Sequence, residues 1–208
     1  LMSVELITTD GIFSLDGEDF DVTNNIWIVG DDREVVVVDA AHDAEAIVSA
    51  INGRRVRQIL LTHGHNDHIN AAVELSEAVD APIALHPADT MLWDVVYPDR
   101  RPDLDLSEGA RFSVGGHELS VLHTPGHAPG CCCFHDSRTA VLFSGDTLFC
   151  GGPGATGRSF SDRPTILHSI RERLLALPGH TVVHTGHGDS TTIEAERPLI
   201  EELVRTEL

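Results

Sequence analysis

The chain has 208 residues, a formal net charge of −19, thirteen His and no Lys, so all fourteen basic residues are Arg. That length suits one domain over 1–208, large enough to bury a core without disulfides or structural metal. The acidic balance argues against nucleic acid, which needs clustered Lys and Arg, and disfavours an anionic membrane surface.

In chain order, Val4 to Thr8, Ile12 to Leu15 and Ile26 to Val29 read as short strands separated by Gly, Asp or Asn. Val35 to Val38 is a β-branched run suited to a strand buried on both faces. A helix follows: Asp43 caps it, Ala44, Ile47, Val48 and Ile51 share one face, and Asn52-Gly53 stops it. Val56 to Leu61 is a strand, a second helix carries Ile69, Ala72, Val73 and Val79, and Ile83 to Leu85 is a short strand. Pro87 to Val96 predicts a helix, and the polar stretch Asp99 to Glu108 predicts a surface connection.

Strands are then predicted near Arg111–Val114, His117–His123, Cys131–Phe134 and Ala140–Phe143, followed by a glycine-rich loop at Gly151 to Gly157. Asp162 caps a helix carrying Leu167, Ile170 and Leu174; Thr181 to His184 is the last strand, and a helix runs from Glu194. The mixture predicts a layered α/β domain. No apolar stretch approaches the roughly 20 residues of a membrane span, and no basic-then-apolar leader opens the chain. Cys131, Cys132, Cys133 and Cys150 include no C-x-x-C pair, so a reducing, cytoplasmic compartment is expected.

Thr62 to His68 reads T-H-G-H-N-D-H, directly after the apolar strand Ile59-Leu60-Leu61. In an extended segment His63 and His65 point to the same side, and Asp67 and His68 fall where the chain turns into a helix. Three imidazoles and a carboxylate crowded at a strand's end form a ligand set for Zn²⁺ or a similar divalent ion. Three later segments share one grammar, an apolar strand and then a tight Gly turn presenting one polar residue. They are Thr124-Pro125-Gly126-His127, Phe143-Ser144-Gly145-Asp146 and Thr185-Gly186-His187-Gly188. Each alone is a common turn; their joint occurrence in this order is far more specific.

With these motifs the chain resembles the metallo-β-lactamase superfamily from about Val35 to about Gly188. The resemblance implies a four-layer αββα sandwich with the site at one end of its two sheets. It assigns His63, His65 and His127 to one metal and Asp67, His68 and His187 to a second, with Asp146 bridging. Asp39 is expected to support the site from behind. The implied cofactors are two divalent ions, Zn foremost, with Fe or Mn as alternatives. The implied chemistry is attack by a metal-bridging hydroxide, oriented by Asp67, on an ester-like carbon. Ala71, where many members have Gly, departs from the pattern.

The bridging Asp146 and the stretches Gly145-Asp146-Thr147-Leu148-Phe149 and Gly157-Arg158-Ser159-Phe160 are similar to the glyoxalase II group. Carried over, Arg158 and Phe160 become contacts to a thiol carrier, although Gly151 to Thr156 is longer and richer in Gly. About twenty residues follow His187, so the longer enzymes' helical C-terminal domain is not expected. The implied partner is a small-molecule thioester. Three alternatives stand beside this reading. One is a mononuclear iron persulfide dioxygenase using His63, His127 and Asp146, and another is an ester, lactone or lactam hydrolase of the same fold. The third is a metal-loaded binding module without activity. Of the remaining His, 42, 86, 117, 135, 168 and 180 are expected at the surface or in caps, and His123 and His184 packed beside ligand turns. Cys131 to Cys133 should alternate across a buried strand, and Cys150 should lie near the pocket.

Overall fold

The run Val35–Val38 feeds two different cores in the computed structural model, which describes residues 3–208. Val35 and Val37 pack with Ile28, Ile59 and Ile83, whereas Val36 and Val38 pack with Trp27, Val29 and Leu60. A strand apolar on both faces must be covered on both, and helices cover one side while a second sheet covers the other.

The first sheet runs in chain order: β1 (Ser3–Leu15), β2 (Glu18–Gly30), β3 (Glu34–Val38), β4 (Arg55–Leu60), β5 (Ile83–Leu85) and β6 (Leu104–Asp105). β1 to β3 are antiparallel, and β3 to β6 are parallel. The crossovers carry α1 (Ala44–Ile51), α2 (Asn66–Ile69), α3 (Ala72–Val79) and α4 (Thr90–Val96). Ile47, Ile69, Leu75 and Trp93 bring all four helices into the first core. Asp43 caps α1 by accepting from the Ala46 N–H at 3.0 Å, and Asn52 ends it at φ 54°.

The second sheet comprises β7 (Arg111–Val114), β8 (His117–His123), β9 (Cys132–Asp136), β10 (Val141–Gly145), β13 (Val182–Thr185) and β14 (Thr191–Thr192), in the order β14-β13-β10-β9-β8-β7. β11 (Leu148–Phe149) and β12 (Gly152–Pro153) form a separate ribbon. Helix α5 (Arg163–Ser169), capped by Asp162, continues into a wider π-type turn, Ile170–Leu174. Together with α6 (Ile193–Glu207) it covers the outer face through Ile166, Leu167, Ile170, Leu174, Ile193 and Ile200. Cys132 points between the sheets beside Phe134, and Cys133 points to the helix side beside Leu142, the expected alternation. The result is the four-layer αββα sandwich.

Several boundaries differ from the sequence expectation for physical reasons. Gly11 does not divide the first strand, because β1 and β2 pair continuously from Ser3–Gly30 to Leu15–Glu18. The second helix is broken at Asn70-Ala71 into α2 and α3. Pro87–Asp89 is a 3₁₀ turn before α4, and the polar connection contributes the edge strand β6. His117 is not at the surface: it is buried at the end of the sheet pair away from the motifs, its Nδ1 2.7 Å from Asp136 Oδ2. Cys150 is exposed, and the other three cysteines are buried.

Candidate metal centre

The four motifs meet at one end of the sandwich, past the C-terminal ends of β4, β8, β10 and β13. Asp146 is the hub. Its Oδ2 lies 3.3 Å from His68 Nε2, 3.3 Å from His127 Nε2, 3.4 Å from His187 Nε2 and 3.8 Å from His63 Nε2. Asp67 Oδ2 lies 3.4 Å from His68 Nε2 and 3.3 Å from His187 Nε2. His65 Nδ1 faces His127 Nε2 at 3.1 Å. Three groups are thereby close enough to grip a cation: His63/His65/His127, His63/His68/Asp146 and Asp67/His68/His187. All seven residues of the expected ligand set are present in one cluster.

The far side of each ring decides which nitrogen faces inward. His127 Nδ1 lies 2.7 Å from the Ala155 carbonyl and His187 Nδ1 lies 2.8 Å from the Thr23 carbonyl. A carbonyl only accepts, so both Nδ1 atoms carry the proton and both Nε2 atoms face the cluster. His68 Nδ1 donates to Asp39 Oδ2 at 2.7 Å. Thr62 Oγ1 donates to the same carboxylate at 2.9 Å, which leaves its lone pair to accept from His63 Nδ1 at 3.0 Å. Such partners fix tautomer and ring orientation, as at bound metals. Asp39, at φ 65° after β3, supports the site from behind as expected and also accepts from the Thr62 N–H at 2.8 Å.

Several polar atoms of the cluster, His65 Nε2 among them, lack a hydrogen-bond partner among the described residues. His63 Nε2, His68 Nε2 and Asp146 Oδ1 are buried without a hydrogen bond among the described residues. Several buried polar atoms without partners would be costly in an apolar core, and divalent cations would satisfy them. The cluster is therefore suited to divalent metal binding. Close approach matters too. A Cβ on Gly186 would stand 2.4 Å from Asp146 Oδ1 and 3.0 Å from His68 Cε1, so only Gly passes there.

Electrostatics divide the rings. Burial, aided by the charge at His68, holds His63 well below the usual His range. Burial with His127 brings His65 to about 3. Burial also opposes charge on His68 and His187, but the carboxylates prevail. Asp146, Asp67 and Asp39 raise His68 well above the ordinary value, and Asp146 and Asp67 bring His187 to about 10. Burial works against ionising Asp146, yet His68 and His187 hold it well below the carboxylate range. Solvent reaches the cluster mainly at the His187 side chain, which is 26% exposed.

Arg158 and Phe160 stand apart from the cluster, on the loop facing the β1–β2 hairpin. The Arg158 guanidinium pairs with Glu18 at 2.9 Å and lies 4.4 Å over the Phe20 ring. Phe160 is exposed at φ 68°. The hairpin reaches the cluster through Phe13, whose ring centroid is 5.2 Å from that of His65. His123 accordingly bonds the Pro129 carbonyl and stacks on His86, and His184 packs on Trp27.

Two contributors are missing from the sequence reading. Asn24 Nδ2 donates to Asp67 Oδ2 at 3.0 Å, and its Oδ1 accepts from His42 Nε2 at 2.9 Å. His42 Nδ1 in turn accepts from Asn70 Nδ2 at 2.9 Å. His42 is thus part of a chain ending on Asp67, rather than a surface residue. Its only signal is the D-A-A-H stretch after β3, which carries no metal-ligand spacing.

Residues 19–187 match the metallo-beta-lactamase superfamily. A protein of Haemophilus influenzae named hydroxyacylglutathione hydrolase GloC is 32% identical over 187 residues, covering 83% of this chain and 87% of that protein. The crystal structure of the BLEG-1 B3 metallo-beta-lactamase superposes with a TM-score of 0.76 at 30% identity, covering 91% of this chain and 97% of that one. The structure of TTHA1623 in a di-iron-bound form superposes with a TM-score of 0.75 at 35% identity, covering 85% and 93%. The chain belongs to the metallo-β-lactamase superfamily.

Proposed function

We propose that this chain is a two-metal hydrolase of thioesters formed by a small thiol. The observation that carries the reading is the placement of Asp146 Oδ2 between the His63/His65/His127 and Asp67/His68/His187 groups, 3.3–3.8 Å from four imidazole nitrogens. Divalent cations, if held by the two groups, would lower the pKa of a bound water and polarise a carbonyl oxygen. Zn²⁺ suits the nitrogen and oxygen donors, and Fe suits them too, the metal named for TTHA1623.

The chain's own residues do the rest. Asp67, braced by Asn24, presents a carboxylate at the wall of the site to orient the attacking water. Asp39 and the Ala155 and Thr23 carbonyls keep protons on the outer ring nitrogens, so the inner nitrogens are the ones that would face a cation. Ser14, Leu15, His65, Leu92 and Val95 line a narrow cleft for a small acyl group. Arg158 and Phe160 are assigned to the carrier by the resemblance; an anionic carrier group would compete with Glu18 for the guanidinium. A thiolate leaves readily, so no strong general acid is required. The name of the Haemophilus relative supports a hydroxyacyl thioester.

What tilts this reading over a mononuclear iron persulfide dioxygenase is Arg158-Ser159-Phe160, which does not match the Arg-Thr-Asp stretch of those enzymes; their metal motifs are the same. The test is metal content of protein purified without chelator, with turnover of a hydroxyacyl-glutathione thioester followed by thiol release. Two divalent ions per chain and activity abolished by chelation are expected. One iron per chain with oxygen uptake on a persulfide, or hydrolysis that survives chelation, would overturn it; hydrolysis of a lactam alone would reassign the substrate.

A further inference from the structure

Asp89 is fully buried and makes no ion pair among the described residues. It occupies the residue before α4, where Asp usually caps the helix, yet its side chain makes no capping bond. Both oxygens are committed elsewhere. Oδ2 accepts from the Gly64 N–H at 2.8 Å, and Oδ1 accepts from the Gly130 N–H at 2.6 Å. Gly64 lies between His63 and His65, and Gly130 lies three residues after His127.

The fit is close on both sides. A Cβ on Gly64 would approach Asp89 Cβ to 3.1 Å, and one on Gly130 would approach Asp89 Cγ to 2.6 Å. One carboxylate therefore spans the two loops that deliver the three-His group, and neither of its hydrogen bonds goes to the Asp67/His68/His187 group. A buried carboxylate with no cationic side chain is expensive to keep, and a bound dication nearby would offset that cost. We propose that Asp89 is a positioning residue for the cation held by His63, His65 and His127, which rests on the two-metal reading above. It fixes the spacing of the two loops and adds negative charge behind them without ligating. Asn cannot replace it: the amide accepts one N–H but turns its own NH₂ toward the other.

The test is stepwise Zn²⁺ affinity of the metal-free full chain by competition calorimetry. His65→Ala and His187→Ala identify which binding step belongs to which group. Asp89→Asn should weaken the step that His65→Ala removes by about 10- to 100-fold and leave the other within about twofold. Gly130→Ala, whose methyl must displace the carboxylate, should act in the same direction, and it decides the matter on the same criterion if Asp89→Asn does not fold. Equal loss at both steps would show general packing, and no loss at either would show no role; both outcomes overturn the proposal. A parent that binds two ions but cleaves no thioester would overturn the proposed function and leave Asp89's role standing. A parent that binds none would overturn both.

Discussion

His65 and His187 share one cluster yet are driven in opposite directions, to about 3 and about 10. The raised value has a consequence for the metal-free protein. Folded His187 keeps its proton to about pH 10, while an unperturbed His releases it near 6.5. Its stabilisation is therefore complete below pH 6.5 and is lost as pH rises toward 10. Melting of chelated protein should show the parent's advantage over His187→Ala shrinking across that window, and a constant difference would contradict it. A cation must displace the same proton, so metal affinity should rise with pH over the same range. If Arg158 meets the carrier as proposed, Arg158→Ala should raise KM for an anionic thioester about tenfold with kcat nearly unchanged, the signature of lost uniform binding. Ligand residues were legible because the metal chemistry demands specific types at strand ends. The braces were not: Asn24, His42 and Asp89 act across 43, 18 and 25 residues of sequence, and no local spacing marks them.

At the level of elements, legibility followed burial. Val35–Val38 had to alternate between two cores, and they do; Cys132 and Cys133 alternate likewise, whereas Cys131 precedes β9 and packs in a separate small cluster with Leu92 and Ala128. The β1–β2 hairpin was underestimated because much of its length is exposed and polar, so hydrophobic patterning is weak where continuous pairing alone defines it. Edge strands β6 and β14, of two residues each, carry no periodicity to read. The layer between the sheets gives the sharpest stability prediction. Phe134 is fully buried there, and Phe134→Ala should cost about 3–5 kcal/mol in denaturant unfolding. A loss below about 1 kcal/mol would mean that the two sheets close over the cavity.

For the whole molecule, the net charge of −19 is a destabilising field that bound divalent cations would partly relieve. Exposed carboxylates such as Asp19, Asp21 and Asp32 have few cations to answer them. Raising salt from about 0.05 M to about 0.5 M should screen this repulsion and lift the melting temperature by about 2–4 °C for each kcal/mol relieved. No helix among the described residues is long and apolar enough to cross a membrane.

The seven candidate ligand residues are divided between the halves of the sandwich. His63, His65, Asp67 and His68 follow a strand of the first sheet, and His127, Asp146 and His187 follow strands of the second. Cations gripped by both sets would act as a clasp across the seam, while at the opposite end the halves meet through contacts such as the Gly115 N–H to Glu34 Oε1 at 3.2 Å. Chelation should unfasten one edge only. Amide exchange would then quicken together at His63–His68, Gly126–His127 and Gly186–His187, with β3 still protected; on the proposed function the metal centre would double as a detachable rivet of the fold.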